Sequence, residues 1–400
     1  MAINWRLFTF DFYGITLHGK ESSSQAPLFV ADHLRVGLKI VSLLRRKVDL
    51  NEIVLDQPIA HLNIDRDGVS NLPQSPSTFT QSRSTINDFL DLAIQYVELN
   101  SGQIYYNDKK SPLDAEMHDF RVQIHFIPVV KEYRGTLGYG DGRVETIDFR
   151  PITHRLQLSF TVNRSGMVVD PMTVATPKST LTVHAKLTDY AQVHVEGNYD
   201  AVVSTIELAR IIKNQSIPSG GVSLTGGLRY DNDPHKGAAN SVYLDGHMSS
   251  PQLVMNMGQM QTTAKSIRAE YRLQNGNLSV RNLGADLLGG HLGANYELSH
   301  ISGSSSSHID ASVRDVSLDA MNNSAGPRNS APVSVSGRID GTVGASWTSD
   351  IKNGTAFLLC RRPFEKPALS YEPLCLLHPF LLRWTRHKTT ARTACYNHPC

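Results

Sequence analysis

Cys375 and His378, followed by Cys395, His398 and Cys400, are residue types that bind zinc. They stand among Pro and Arg with no regular spacing, so they read as part of an irregular tail. His154, His184, His194 and His291 are scattered along the chain with no second ligand at metal spacing, and they read as histidines on wet strand faces. Gly138-Tyr139-Gly140-Asp141-Gly142 has the glycines of a phosphate loop but neither the following Lys-Ser/Thr nor a helix to carry the anion, so it reads as a turn. No Gly-x-Ser-x-Gly elbow accompanies the serines. The acids stand mainly beside turn glycines, where Asp bonds its own backbone, and not in the pairs that glycoside hydrolysis needs. The expectation is a non-enzymatic protein with no catalytic residue, metal or cofactor.

The residues with an informative spacing are apolar. In the segment from residue 120 to 126, Phe120, Val122, Ile124 and Phe126 alternate with Arg121, Gln123 and His125; from 156 to 162, Leu156, Leu158, Phe160 and Val162 alternate with Gln157, Ser159 and Thr161. Period two puts each set on one face of a strand. Leu34, Val36, Leu38 and Ile40 repeat the pattern, and weaker copies occur at Leu181–Leu187, Val193–Val195, Ile267–Leu273 and Ile309–Val313. The chemistry such a surface offers is solvation of hydrocarbon, and these eight residues are the candidates for an apolar trough that takes phospholipid acyl chains. Exposing two ordinary acyl chains to water costs roughly 25 kcal/mol at about 0.8 kcal/mol per methylene. The rival reading of the same residues is the interior of a β-sandwich.

Strands must carry these residues, and turns must join the strands. Asp67-Gly68, Ser101-Gly102, Asp141-Gly142, Ser165-Gly166, Gly220-Gly221, Asn275-Gly276 and Asp340-Gly341 read as tight turns. On that reading about 24 strands stack at ~4.8 Å each, far beyond one compact domain. Helix is scarce: Ser204 to Ile212, with a capping box between Ser204 and Glu207, and short pieces at Ser42–Lys47 and Ile86–Leu92. Gln74–Ser84, Ser302–Ser307 and Asn322–Pro332 read as loops. These segments make the fold class all-β and antiparallel.

Composition agrees. With 40% hydrophobic and 19% charged residues the chain is too apolar for a disordered one. The formal charge of +2 hides a division: residues 351–400 hold eight Lys/Arg against two Asp/Glu, leaving 31 basic against 35 acidic in the body. A mildly acidic body has no electrostatic footprint for nucleic acid. All four cysteines lie at or beyond Cys360, and a thiol-free body suits an oxidising compartment. No stretch reaches the ~20 apolar residues that span a bilayer. The opening at Ala2-Ile3-Asn4 reads as mid-strand, which suggests a start inside a longer gene.

The run Trp5-Arg6-Leu7-Phe8-Thr9-Phe10-Asp11-Phe12-Tyr13-Gly14 is similar to the opening of the TamB and AsmA-like bacterial envelope proteins. So are Pro27-Leu28-Phe29-Val30-Ala31-Asp32, the stretch Ser42–Leu50, Ile53-Val54-Leu55-Asp56-Gln57-Pro58, Asp65–Pro73, and Val97–Asp108 followed by Pro112-Leu113. The resemblance spans roughly residues 4–130. It implies an elongated, curled sheet in the form of an open half-barrel, open along one side and apolar on its concave face, with a role in phospholipid transport or outer-membrane protein assembly. It also implies a place in the periplasm, anchorage in the inner membrane through a helix with no counterpart in this chain, and an outer-membrane β-barrel assembly protein as partner. The expected division is 1–130 as the family-like N-terminal region, 131–350 as continuing groove, and 351–400 as a basic tail outside the fold. The alternatives are a β-solenoid or sandwich that binds or degrades polysaccharide, and a structural adhesin. A packed inner face marks a scaffold, and an accessible one marks a lipid bridge.

Overall fold

The computed structural model describes the backbone of residues 1–4, 8–22, 25–39, 50–73, 90–147, 149–214, 216–232, 240–257, 260–301, 304–324, 336–348, 355–360 and 380–383. The expected helix at Ser42–Lys47, the loop at Gln74–Ser84 and the Cys375–Cys400 group lie outside these residues. The described chain is mostly strand and forms two compact units, 1–201 with 207–215, and 202–206 with 216–400. Residue 130 stands in the turn between two paired strands, and the two units meet in sequence near residue 202.

The first unit holds β1 (Ala2–Asn4), β2 (Thr9–Leu17), β3 (Phe29–Leu38), β4 (Leu50–Asp56), β5 (Ile59–Ile64), β6 (Tyr96–Asp108), β7 (Leu113–Ile127), β8 (Glu132–Thr146), β9 (Ile152–Asn163), β10 (Gly166–Ala175), β11 (Thr180–Thr188) and most of β12 (His194–Ser204). From β6 to β11 each strand pairs antiparallel with the next. β4 and β5 share one lane between β3 and β6, broken at Gln57-Pro58, where Gln57 adopts a positive φ of 49°. This lane runs antiparallel to β3 and parallel to β6, the one parallel seam among the described pairings. A parallel neighbour requires a crossover. The chain between β5 and β6 makes it, and its described end enters β6 through a helical turn at Leu90–Leu92.

The second unit is an antiparallel meander of β13 (Ser219–Asp231), β14 (Val242–Met257), β15 (Met260–Gln274), β16 (Asn277–Leu287), β17 (Gly290–Ser299), β18 (Ser306–Ser317), β19 (Arg338–Thr348), β20 (Thr355–Cys360) and β21 (Phe380–Arg383), each paired with the next. Its packed centre is Ala264, Ile267 and Ala285, with Met248, Leu253, Met255, Leu287 and Leu292 against them. Helix α1 (Thr205–Ile211) appears where expected; α2 (Leu318–Ser324) ends on Asn322–Ser324, the first residues of a stretch that reads as loop. Ser306 and Ser307, also expected in a loop, begin β18.

Four of the seven expected turns are not turns. Ser101-Gly102 lies inside β6, Asp141-Gly142 inside β8, Gly220-Gly221 inside β13 and Asp340-Gly341 inside β19. Pairing register shifts at the first three, between Leu99 and Gly102, Tyr139 and Gly142, and Gly220 and Ser223, which marks β-bulges. A bulge needs the same positive-φ or close-approach residues as a turn, so a glycine doublet alone does not tell them apart. Among the described residues the strands therefore run up to 16 residues and number 21. Further bulges lie between Val169 and Met172 in β10, and positive φ values at Ser101 (52°) and Asp119 (56°) place neighbouring irregularities on β6 and β7. Bulges bend a strand and raise its local twist, which curls these open antiparallel sheets without closing them into a barrel.

Candidate functional site

In a paired ladder, residues directly opposite each other share a face, so the registers place side chains across many strands at once. Starting at β2, Phe12 faces Leu34, which faces Leu55, then Leu99, Val122, Leu137, Leu158, Met172 and Val183. Nine successive lanes contribute nine apolar residues without a break. A second row runs alongside through Phe10, Val36, Ile53, Val97, Ile124, Gly135, Phe160, Val169 and Ala185. Beside these, Phe126 faces Tyr133, Tyr133 faces Val162, and Leu156 faces Tyr139. Phe120 stacks on Tyr139 with ring centroids 6.5 Å apart.

All eight sequence candidates, Phe120, Val122, Ile124, Phe126, Leu156, Leu158, Phe160 and Val162, therefore lie on one face of one sheet, and all eight are half-buried. The interior of a sandwich would bury them fully. Among the described residues the only large side chain that is completely enclosed is Tyr133, 1% exposed. The chain entering β6 reaches it there: the Ile94 N–H donates to the Tyr133 hydroxyl at 3.0 Å, and Ile94 (3% exposed) and Leu90 (4%) are themselves buried. Burial raises the Tyr133 phenol above its ordinary pKa despite that N–H, and burial raises Tyr139 likewise.

The opposite face is polar. Arg121, Gln123, His125, Arg134, Thr136, Arg155 and Gln157 are exposed there, with ion pairs Arg121–Asp119 at 2.8 Å and Arg134–Glu132 at 2.5 Å along single strands. Such exposed pairs contribute little to stability. On β2–β4 the same face carries a tighter group, where His33 bonds Asp11 and Asp56 and Arg35 bonds Asp11.

In the second unit a comparable row passes through Leu228, Leu244, Leu273, Leu278 and Leu298 to Ser307 and Trp347. Ser307 is buried there and lies 3.2 Å from the Tyr296 hydroxyl, which satisfies both hydroxyls.

Sequence reasoning missed Leu137 and Tyr139, because Gly135, Gly138 and Gly140 beside them suggested a turn; their own alternation was the available signal. It also missed the His33 group, since its members lie 22 and 23 residues apart and only strand pairing joins them. His154 stands edge-on to Tyr139 at 5.5 Å, while His184, His194 and His291 bond Asp170, Glu196 and Asp286. Among the described residues no group of three His, Cys, Asp or Glu side chains is arranged to hold a metal ion. No described helix is long and apolar enough to cross a membrane.

Comparison with curated proteins and with solved structures gave no match. The family model described as the AsmA family matches residues 2–326, which takes in the whole apolar face of the first unit and the second as far as α2. By this match over most of its length, the chain belongs to the AsmA family, an envelope-associated family.

Proposed function

We propose that this chain is a non-enzymatic component of the bacterial cell envelope that shelters phospholipid acyl chains on its apolar sheet face as they pass through the periplasm between inner and outer membranes. The observation that carries this reading is the unbroken nine-lane row from Phe12 to Val183, half-buried from Phe12 to Met172 and buried only at Val183. At about 4.8 Å per lane the row extends roughly 40 Å, more than twice the ~15 Å that one leaflet gives an acyl chain. A surface of that length accepts a chain lying across the strands and offers it the next position without a polar gap. Each methylene kept from water is worth about 0.8 kcal/mol, so the face lowers the barrier to transfer with no chemical step. Assistance to outer-membrane protein assembly would use the same face for apolar strands, and docking to an outer-membrane β-barrel assembly protein belongs to that version.

The test is native mass spectrometry of the full chain in mild detergent, with extraction and identification of what co-purifies. Phospholipid is expected with the wild type and is expected to be lost in Leu158→Lys and Val122→Lys at unchanged circular dichroism. Should the lysine variants fail to fold, Leu158→Thr keeps the strand and still weakens retention. Lipid-free wild type, or lipid kept by folded lysine variants, refutes the reading.

A further inference from the structure

One rim of the first unit carries a surface the groove does not use. Ile147 and residues 149–151 of the β8–β9 connection, the β10–β11 turn (176–179) and the α1 segment from Glu207 onward meet there. The Arg150 N–H donates to the Ile211 carbonyl at 2.9 Å, Lys213 Nζ donates to the Ile147 carbonyl at 3.2 Å, and the Glu207 carboxylate accepts from the Thr176 and Ser179 hydroxyls at 2.6 and 2.5 Å. These bonds fix three segments as one structure. Its outward side is apolar at the centre: Ile147 is 72% exposed, Phe149 45% and Leu208 38%. Arg150, Lys178, Arg210 and Lys213 stand on the same three joined segments, all exposed. Of the acids present, Glu207 is turned onto the β10–β11 turn, and Asp148 is the one acid in the sequence of the connection itself.

We infer that this rim docks on an anionic lipid bilayer surface, with Ile147, Phe149 and Leu208 entering the headgroup region and the four cations meeting lipid phosphates. Exposed apolar side chains grouped on a loop mark an interaction surface. A protein partner would favour apolar contacts with mixed charge beside them, whereas exposed Lys and Arg on the segments that carry an aliphatic and aromatic tip match the interfacial signature, in which long basic side chains reach back to the headgroups. The docking is separate from the acyl-chain face, so either can fail without the other.

Hydrogen exchange of the full chain tests it, with vesicles of phosphatidylcholine alone and of phosphatidylcholine mixed with phosphatidylglycerol. Protection at 147–150, 176–179 and 207–213 is expected with the anionic vesicles and is expected to fade at high salt. Co-sedimentation is expected to weaken about tenfold or more in Arg150→Gln with Lys213→Gln, the second of which keeps a donor for the Ile147 carbonyl. It is expected to weaken similarly in Ile147→Ser with Phe149→Ser. Leu158→Lys, which empties the groove, should sediment as wild type. Absence of protection at the rim, protection confined to the basic tail, equal protection by neutral vesicles, or wild-type binding by both double variants overturns the inference.

Discussion

The hydroxyl of Tyr133 accepts the backbone N–H of Ile94 at 3.0 Å, and this bond joins the chain entering β6 to the apolar face. Both residues are buried, Tyr133 at 1% and Ile94 at 3% exposure, so water does not replace either partner. Tyr133→Phe keeps the ring against Phe126 and leaves the Ile94 amide without this acceptor. A loss of about 1–3 kcal/mol is expected from an orphaned buried donor. Chemical denaturation checks it, and hydrogen exchange should show faster opening at residues 90–95. Unchanged stability would mean that the amide finds another partner.

Gly135 sits in the second apolar row between Ile124 and Phe160. A Cβ there would stand 2.5 Å from the Gln123 carbonyl oxygen and 2.8 Å from the Phe160 ring. The ring can turn; the backbone carbonyl moves only with the strand. Gly135→Ala is therefore expected to destabilise by about 1–3 kcal/mol, as overpacking does, and Gly135→Val by more. Phe160→Leu should relieve part of the cost in the double variant, because it removes the movable neighbour. Additive losses in thermal melts would show that the carbonyl alone sets the cost.

The strand face was readable from residues 120–126 and 156–162 because each strand alternates without error, and period two is a local property. The registers that align those strands into rows were not readable, because the bulges that set them depend on pairing partners. Ser101-Gly102 shows the difficulty: the doublet has turn chemistry, yet Leu99 on one side and Ile104 on the other remain paired with Val122 and Met117 of the same neighbour strand. The parallel seam of β4 and β5 on β6 was hidden for the same reason, since Gln57-Pro58 looks like a hairpin while its carbonyl and amide bond β6 at Gln103 and Asn100.

Glu207 holds α1 to the β10–β11 turn. Burial pushes its carboxyl up, but hydroxyl bonds from Ser179 and Thr176 outweigh this and hold its pKa below the ordinary glutamate value. Its contribution is thus present above that value and fades as pH falls through the lowered one. Glu207→Ala is expected to cost about 1–2 kcal/mol and to open residues 205–214 to protease. Cleavage there at the wild-type rate would remove this role from the carboxylate and leave the helix held by the Arg150–Ile211 backbone bond.

His33 bonds two carboxylates at once, Asp56 through Nδ1 at 2.9 Å and Asp11 through Nε2 at 2.8 Å. A neutral imidazole has one N–H, so only the imidazolium donates to both. The Asp56 bond, then the Asp11 bond, raise the His33 pKa; His33 in turn lowers both carboxylates, helped by Arg35 at Asp11 and Asn100 at Asp56. The other groups facing the cluster are Tyr13, stacked on the imidazole at 4.9 Å, and Glu52, near Arg35. For a raised histidine the stabilisation is complete below the unfolded value of about 6.5 and is lost as pH rises through the folded one. For the lowered aspartates it is present above about 3.9 and is lost as pH falls through their folded values. The clamp between β2, β3 and β4 is therefore strongest from about pH 4 to 6.5 and loosens on the alkaline side. His33→Gln keeps one donor and cannot titrate, so its denaturation midpoint should change less than that of the wild type between about pH 6 and pH 9. Parallel pH profiles for the two proteins would assign the alkaline loss to other groups.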